Sequence, residues 1–443
     1  SLCERAAERV PADLLPRSLQ PEAEASFKAA AGDVEAAGTG GWTPLTRPYL
    51  PAASPDIEYW TGYNILDASG RMHSLYGKNV RTEIGQWPDA ASFRSDYLQD
   101  IYYAAFSEGA WNVPLNLTNV TGLGDSQTVF LDAGADGCVH VVYTAWTWGR
   151  DASRPPGEYN AYQHEQENLW YRYMSPDGFW SAPRQLTGFT GSWGMLSADF
   201  ATLNGRLYGT FVAVRNNETT PSSFRAQVGF VEGSLDSWEP AAQLDAWDYN
   251  LDPGQLQPAF YPSLAVSDMG GEVTAVYGVL TRAGAMFTGK FDAYGCVRDT
   301  AAAWSGPQNV THAAYNERWL PVLAFYKGGA TSAGVVAFKS TMVRDATHPP
   351  RDDAFLIYHS GAGWNAPTNL TRVGIQQDGT YIDIELDTLG YLHFCYMVAT
   401  FSWVGGDWQP RGGELKYARE MEAVISSPFT ILGYTFQRYP DEI

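Results

Sequence analysis

The sequence predicts an all-β chain: a six-bladed β-propeller with an N-terminal wrap and an N-terminal strand that closes the last blade. Three observations predict it. First, a tryptophan-led phrase recurs as GGWTPLT at 40–46, AWNVPLNLT at 110–118, FWSAPRQLT at 179–187, AWSGPQNVT at 303–311 and GWNAPTNLT at 363–371, with a degenerate SWEPAAQL at 237–244. Its tryptophans (Trp42, Trp111, Trp180, Trp238, Trp304 and Trp364) follow one another about every 64 residues. Second, another phrase lies between them: DASGRMHSLY at 67–76, ADGCVHVVY at 135–143, LNGRLYGTF at 203–211, MGGEVTAVY at 269–277 and DTLGYLHFCY at 387–396, with a weak GGATSAGVVAF at 328–338. Six copies of each phrase mark a six-fold repeat. Third, aromatics make up 14% of the chain and charged residues only 18%, with 44 Gly and 26 Pro. That composition suits short strands and tight turns, and it excludes a coiled coil or a helical bundle.

Taken in chain order, residues 1–39 are rich in Ala and Glu, with a helical pattern near 22–36. They are expected to form a helical or irregular wrap, with Cys3 as a staple to the ring. Residues 40–443 form the propeller. Each repeat reads as four strands, and the second shows the pattern: SQTVFLDA, VHVVYTAW, ENLWYRYM and WSAPRQLT. The last is interrupted by Pro183, which suits a sheet edge because proline cannot donate to a ladder. Four-stranded units of this size arranged radially make a propeller, whereas a sandwich array or solenoid is the competing arrangement. The Trp42 phrase precedes the first inner strand, and no such phrase follows the last repeat. The Trp42 strand is therefore expected to complete the blade begun by residues 379–421, leaving 422–437 unassigned.

Charge narrows the partners. There are 49 acids against 29 bases, a net charge of −20. Nucleic acid and anionic membrane surfaces are not expected partners, since both are bound by neutralising phosphates with Lys and Arg. No apolar run reaches the length of a membrane-spanning helix. Five N-x-[ST] triplets, at Asn116, Asn119, Asn217, Asn309 and Asn369, lead us to expect a secreted glycoprotein. The four cysteines Cys3, Cys138, Cys296 and Cys395 are then expected to form two disulfides, in one of three pairings. The absence of a charged-then-apolar leader is read as a mature chain after signal removal. No metal or cofactor is expected, because no CxxC, HExxH, phosphate loop or calcium loop occurs. Oligomeric state is not legible.

The expected site is the mouth of the channel, where inner strands begin and second strands end. The inner-strand starts offer Tyr59, Trp60, Tyr63, Gln127, Trp193, Met195, Phe260, Tyr261, Arg318, Trp319, Tyr381 and Asp383. The second-strand ends offer Lys78, Arg81, Trp146, Trp148, Arg215, Arg282, Lys339 and Trp403. Bases at four of six such ends, in an acidic chain, suit a planar or anionic ligand between aromatic walls. Arg282, Arg215, Arg318, Lys78, Tyr261 and Asp383 are the candidate catalytic groups. Tyr59, Trp60, Gln127, Trp146, Trp193, Phe260, Trp319, Lys339, Tyr381 and Trp403 are the candidate binding groups. Asp125, Asp383 and Glu385 are candidate paired carboxylates for glycoside hydrolysis. His73, His140 and His393, each three residues before a tyrosine, recur at one blade position and read as structural.

The Trp-x-x-Pro-x-Asn-Leu-Thr and Asp-x-x-Gly-x-x-His-x-x-Tyr phrases resemble the sialidase-like propeller superfamily over about residues 41–421. The sialidase Asp-box is nearly missing, with SPDGFW at 175–180 a partial match. Within the superfamily the chain resembles secreted fungal propellers that include the hetero-Diels–Alderases of tropolone–sesquiterpenoid biosynthesis. That resemblance implies cofactor-free dehydration of a planar acidic ring to a quinone methide, then addition to the alkene of a humulene-type terpene. The competing expectation is a carbohydrate-active propeller, either a uronate-directed lyase or glycosidase or a sugar-binding lectin, with a uronate-containing glycan as partner.

Overall fold

The computed structural model describes residues 59–81, 98–120, 124–150, 162–191, 193–216, 224–249, 259–266, 272–283, 286–299, 301–311, 323–327, 333–342, 351–360, 363–371, 377–386, 392–404, 407–421, 424–425 and 429–435. The proposed wrap, Cys3 and the Trp42 phrase lie outside them.

Among the described residues every regular element is a strand, and the strands form six antiparallel sheets in chain order. Blade 1 contains Tyr59–Leu66, Met72–Arg81 and Leu98–Ser107, with the outer pieces Ala110–Trp111 and Leu115–Asn116. Blade 2 contains Gly124–Ala133, Val139–Arg150, Tyr162–Met174 and Arg184–Gln185. Blade 3 contains Trp193–Leu203, Arg206–Asn216 and Phe224–Ser234, with Ser237–Trp238 and Ala242–Tyr249 outside. Blade 4 contains Ala259–Val266, Val273–Ala283, Met286–Arg298 and Gln308–Asn309. Blade 5 contains Leu323–Lys327, Ala333–Met342 and Arg351–Ser360, with Gly363–Trp364 and Thr368–Asn369 outside. Blade 6 contains Gln377–Leu386, Leu392–Val404 and Asp407–Met421, with Val424–Ile425 and Phe429–Thr435 outside. From blade 1 to blade 6, each first strand packs against the first strand of the next blade. This is the radial order of a β-propeller.

The repeated phrases have local causes. The Asp-x-x-Gly phrase is the hairpin between first and second strands. Asp67 Oδ1 accepts the main-chain N–H groups of Ser69 and Arg71, both at 2.9 Å, and Gly70 takes φ 81°. A short acid that caps its own turn and a glycine in the left-handed region are the residues such a turn requires. The apolar positions of the second strand then enter the core. Leu75, Val141, Val142, Leu207, Phe211, Val273 and Tyr277 are all fully buried.

The Trp phrase holds neighbouring blades together. Trp180 of blade 2 meets Tyr103 of blade 1 edge-on at 4.9 Å between ring centroids. Trp238 of blade 3 meets Tyr171 of blade 2 at 4.9 Å, and Trp304 of blade 4 meets Phe230 of blade 3 at 4.9 Å. At the equivalent third-strand position blade 4 carries Gly295, where an added Cβ would come within 2.8 Å of Trp364 of blade 5. The ring there rests against the glycine instead of an aromatic partner. The period of the tryptophans is thus the period of the blade interfaces.

Two expectations are corrected. The outer edge of blade 6 was assigned to the Trp42 strand. It is filled instead by Phe429–Thr435, which pairs with Gly412–Tyr417, while Val424–Ile425 pairs with Glu420 and Met421. FTILGYT is a β-prone run only a few residues downstream of its partner, so pairing it costs far less loop-closure entropy than recruiting the opposite end of the chain. The expected disulfides are also not formed among the described cysteines. Cys138, Cys296 and Cys395 stand in blades 2, 4 and 6, and none is joined to another. Burial, together with nearby Asp136, pushes the Cys138 thiol up to about 11, and burial pushes Cys296 up to about 11. Both therefore pack as neutral thiols.

Candidate functional site at the channel mouth

The strand register places the predicted groups at one end of the blades. Tyr59 pairs with Lys78, Asp125 with Trp146, and Trp193 with Arg215. In each pair the beginning of a first strand faces the far end of a second strand. A register shift interrupts the first strand close to this end in five blades: at Trp60/Tyr63, Thr128/Phe130, Met195/Ser197, Phe260/Ser263 and Thr380/Ile382. Bulges bend a strand and re-aim its side chains, and they recur beside functional sites.

The best-defined part of this end lies between blades 2 and 3. The loop before Trp193 and the start of the strand that follows are tied down at three successive residues of the third strand of blade 2. Gln166 N–H donates to Gly191 O at 2.8 Å. Met195 N–H donates to Glu167 Oε2 at 2.7 Å, and Phe189 N–H donates to Asn168 Oδ1 at 2.7 Å. Glu167 and Asn168 are buried, and Gln166 takes φ 56° at the bulge that presents them. Arg215 is exposed near this loop; a Cβ built on Gly191 would lie 3.9 Å from its guanidinium, an ordinary contact distance.

The predicted site residues separate on inspection. Arg215 and Gln127 are exposed at the mouth, and Trp403 is 60% exposed at the end of the blade 6 hairpin. Trp146 is half-buried opposite Asp125. Lys78 is half-buried with its ammonium 5.2 Å above the Tyr102 ring, so its charge is directed onto the third strand of its own blade. Trp193 is corrected from a wall residue to a core residue: it is 9% exposed and stacks on Phe189 at 4.8 Å. It packs there with Phe211 and Leu169, so it supports the mouth from below. Asp125 is corrected likewise. It is 4% exposed, and its Oδ1 accepts Gln99 N–H of blade 1 and Ser126 N–H, both at 2.9 Å. It joins two blades and is not available as a hydrolytic acid.

For other candidates the backbone alone is defined. Tyr59, Trp60, Phe260, Tyr261, Tyr381 and Asp383 lie on first strands, and Arg282 and Lys339 near the ends of second strands. Glu385 pairs with His393 at the opposite end of blade 6 from Gln377. Arg318 and Trp319 lie outside the described residues.

No local pattern in the sequence marks Tyr102, Phe189 or Glu167. Each owes its role to a neighbour distant in sequence. The histidines are structural, as their repetition predicted. His73 and His140 are buried, with Nδ1 2.6 Å from the Tyr103 hydroxyl and 2.8 Å from the Tyr171 hydroxyl respectively. His73 Nε2 meets Asp67 Oδ2 at 3.1 Å; a carboxylate only accepts, so this nitrogen carries the proton. His393 repeats the Nδ1 contact with Tyr417 at 2.5 Å. Burial lowers both His73 and His140 from the usual imidazole value.

A second concavity of about 450 Å³ lies between blades 3 and 4, lined by Arg206, Glu232, Arg298 and Trp304 among others. Glu232 engages Arg298 at 2.5 Å and Arg206 at 3.3 Å. Arg298 also lies over the rings of Phe230 and Trp304. Arg206, Glu232 and Arg298 engage one another there, which makes it a blade junction.

No protein-family model matches this chain, and no curated protein matches it. Among solved structures it is similar to an ulvan lyase, at 12% identity and TM-score 0.45, over 84% of this chain and 82% of that one. It is also similar to an α-L-arabinanase of Penicillium chrysogenum, at 12% identity and TM-score 0.40, over 76% and 88%. A third is the NanB sialidase of Streptococcus pneumoniae, at 10% identity and TM-score 0.39, over 80% and 68%. At such identities and scores the fold assignment rests on the strand order and register of the chain itself.

Proposed function

We propose that this protein is an enzyme acting at the channel mouth on an acidic ring compound, as a cofactor-free hetero-Diels–Alderase. The observation that supports this reading is the pinned segment between blades 2 and 3, where the exposed Arg215 pairs in register with Trp193, itself stacked on Phe189. A cation there would hold the acidic oxygens of a tropolone and polarise the heterodiene formed when the C–OH bond breaks, the exocyclic C=C forms and the ring's acidic proton leaves with the hydroxide as water. The aromatic residues at strand starts and hairpin ends would hold the terpene alkene against the heterodiene and keep water from the quinone methide. Arg282 and Lys339, whose backbones lie near the ends of second strands, are the further candidate cations.

The test supplies a hydroxymethyl tropolone with humulene and measures the dihydropyran adduct. The intact protein is expected to raise adduct yield over the spontaneous reaction, and Arg215→Ala to cut the rate by about 10²-fold, the scale of losing one donor to a developing anion. Adduct formation equal to the protein-free control would overturn the reading.

A second reading is favoured by Trp403. A tryptophan 60% exposed on a hairpin end is a surface on which a sugar face stacks. The glycan would be acidic, its carboxylate on Arg215. Release of unsaturated uronate from a uronate-capped oligosaccharide would establish this alternative. The ulvan lyase among the similar structures was solved with a glucuronate–sulfated rhamnose glycan bound, which makes that glycan a natural probe.

A further inference from the structure

Three of the five glycosylation triplets coincide with a repeated structural device. In blade 1, Asn116 Nδ2 donates to Asp100 Oδ2 at 2.7 Å. Its Oδ1 accepts Thr118 N–H at 3.1 Å. Thr118 Oγ1 accepts Ile101 N–H at 3.0 Å and donates to Asp100 Oδ1 at 3.2 Å. The residue between them, Leu117, is 2% exposed, and its N–H donates to Ile101 O at 2.8 Å. Blade 5 repeats the set: Asn369 Nδ2 to Asp353 Oδ2 at 2.7 Å, Thr371 N–H to Asn369 Oδ1 at 3.1 Å, Ala354 N–H to Thr371 Oγ1 at 3.0 Å. Blade 4 repeats it again: Asn309 Nδ2 to Asp292 Oδ2 at 3.2 Å, Thr311 N–H to Asn309 Oδ1 at 3.0 Å, Ala293 N–H to Thr311 Oγ1 at 3.2 Å. Blade 2 does related work without a glycosylation triplet. There Gln185-Leu186-Thr187 faces Asn168, and Thr187 Oγ1 accepts Leu169 N–H and donates to Asn168 Oδ1, both at 2.9 Å.

We infer that Asn116, Asn309 and Asn369 are blade-closing clips and carry no N-linked glycan in the folded protein, and that Asn119 is the glycan acceptor among the four sequon asparagines described. The chemistry separates them. A glycan bonds to Nδ2, and in the three clips this atom faces a carboxylate on the adjacent strand in a half-buried position. A sugar there would stand between the outer strand and the third strand, so a glycosylated chain could not close its blade. Asn119 is exposed, takes φ 45° and donates only its main-chain N–H to Asn116 Oδ1 at 2.9 Å. The Asn-x-Thr pattern arises because a turn residue must donate one amide, accept another and be followed two positions on by a hydroxyl. Three of the five triplets therefore follow from blade closure, and they say nothing about compartment.

The full chain, directed into the secretory pathway of a glycosylating yeast, would be purified as folded monomer. It would be deglycosylated in ¹⁸O water, and each asparagine scored by peptide mass spectrometry. Label is expected at Asn119 and not at Asn116, Asn309 or Asn369. Label at Asn309 or Asn369 in folded protein would overturn the clip assignment, and its absence at Asn119 would overturn the acceptor assignment. Protein made in bacteria supplies the independent readout. Thr311→Ser keeps the hydroxyl and should lower melting less than Thr311→Val, which loses it. Asn309→Asp sets a second carboxylate against Asp292; its melting deficit should shrink as pH falls toward the carboxylate range, where one proton is shared. Wild-type melting of both Thr311→Val and Asn309→Asp would also overturn the clip.

Discussion

At the residue scale, repeated polar groups are structural wherever their partners are buried. His73 and His140 have imidazole values below 6.5 because burial penalises the cation, while Asp67 and Asp136 only partly oppose this. Arg71 also faces His73, and Asp132 faces His140. The sign follows from linkage. Between the unfolded value and the lower folded value, the unfolded chain binds more protons. Stability should therefore fall as pH drops below about 6.5, and level off beneath the folded values. Asp67, held below the usual carboxylate range by the Ser69 hydroxyl first, extends the loss to strongly acid pH. Urea melts at pH 7.5 and 5.5 should show a lower midpoint at 5.5, and the difference should shrink in the His73→Gln, His140→Gln double variant. Thiol chemistry gives a second expectation. Because no two of Cys138, Cys296 and Cys395 are joined, at least two thiols should react with a maleimide in denaturant without reductant. Fewer than two would contradict the packing of Cys138 and Cys296 as thiols.

Among the elements, the blade interfaces decide stability. Removing Trp180 would leave a cavity against Tyr103 and should cost about 3–5 kcal/mol. Glycine positions make the complementary case. A Cβ on Gly229 would lie 2.1 Å from the Phe211 ring, and one on Gly209 would lie 2.2 Å from Phe200. Gly229→Ala should cost at least the 1–3 kcal/mol typical of overpacking, measurable as a shift in denaturation midpoint. The loop carrying Phe189 depends on a single buried carboxylate for its contact at Met195. Glu167→Gln should loosen the loop, so that amide exchange at Met195 quickens while global melting moves less.

On the scale of the whole molecule, the six sheets close with local material. Deleting residues 422–443 would strip Phe429–Thr435 from the outer edge of blade 6 and expose the ladder groups of Gly412–Tyr417. An unpaired edge of that length invites intermolecular pairing. The truncated protein should aggregate on concentration, whereas deletion of 1–39 should leave a monomer by light scattering. The reverse result would return the edge to the N-terminal segment.

The sequence by itself determined the repeat number, the order of strands in each blade and the hairpins between first and second strands. All are local. They follow from side-chain alternation, turn residues and proline placement within about 64 residues. It also placed Lys78, Trp146 and Arg215 at one end, because antiparallel register follows from hairpin geometry. Tertiary structure alone decided what each of those residues does there. Trp193 and Asp125 were drawn into the core by Phe189 and Gln99, residues of neighbouring segments that no local pattern links to them. It also decided that Asn116, Asn309 and Asn369 serve the sheet, and that the last edge is filled by the C-terminal strand. The physical reason is the same in each case: burial and hydrogen-bond occupancy depend on which blade packs alongside, and that neighbour is set by the ring.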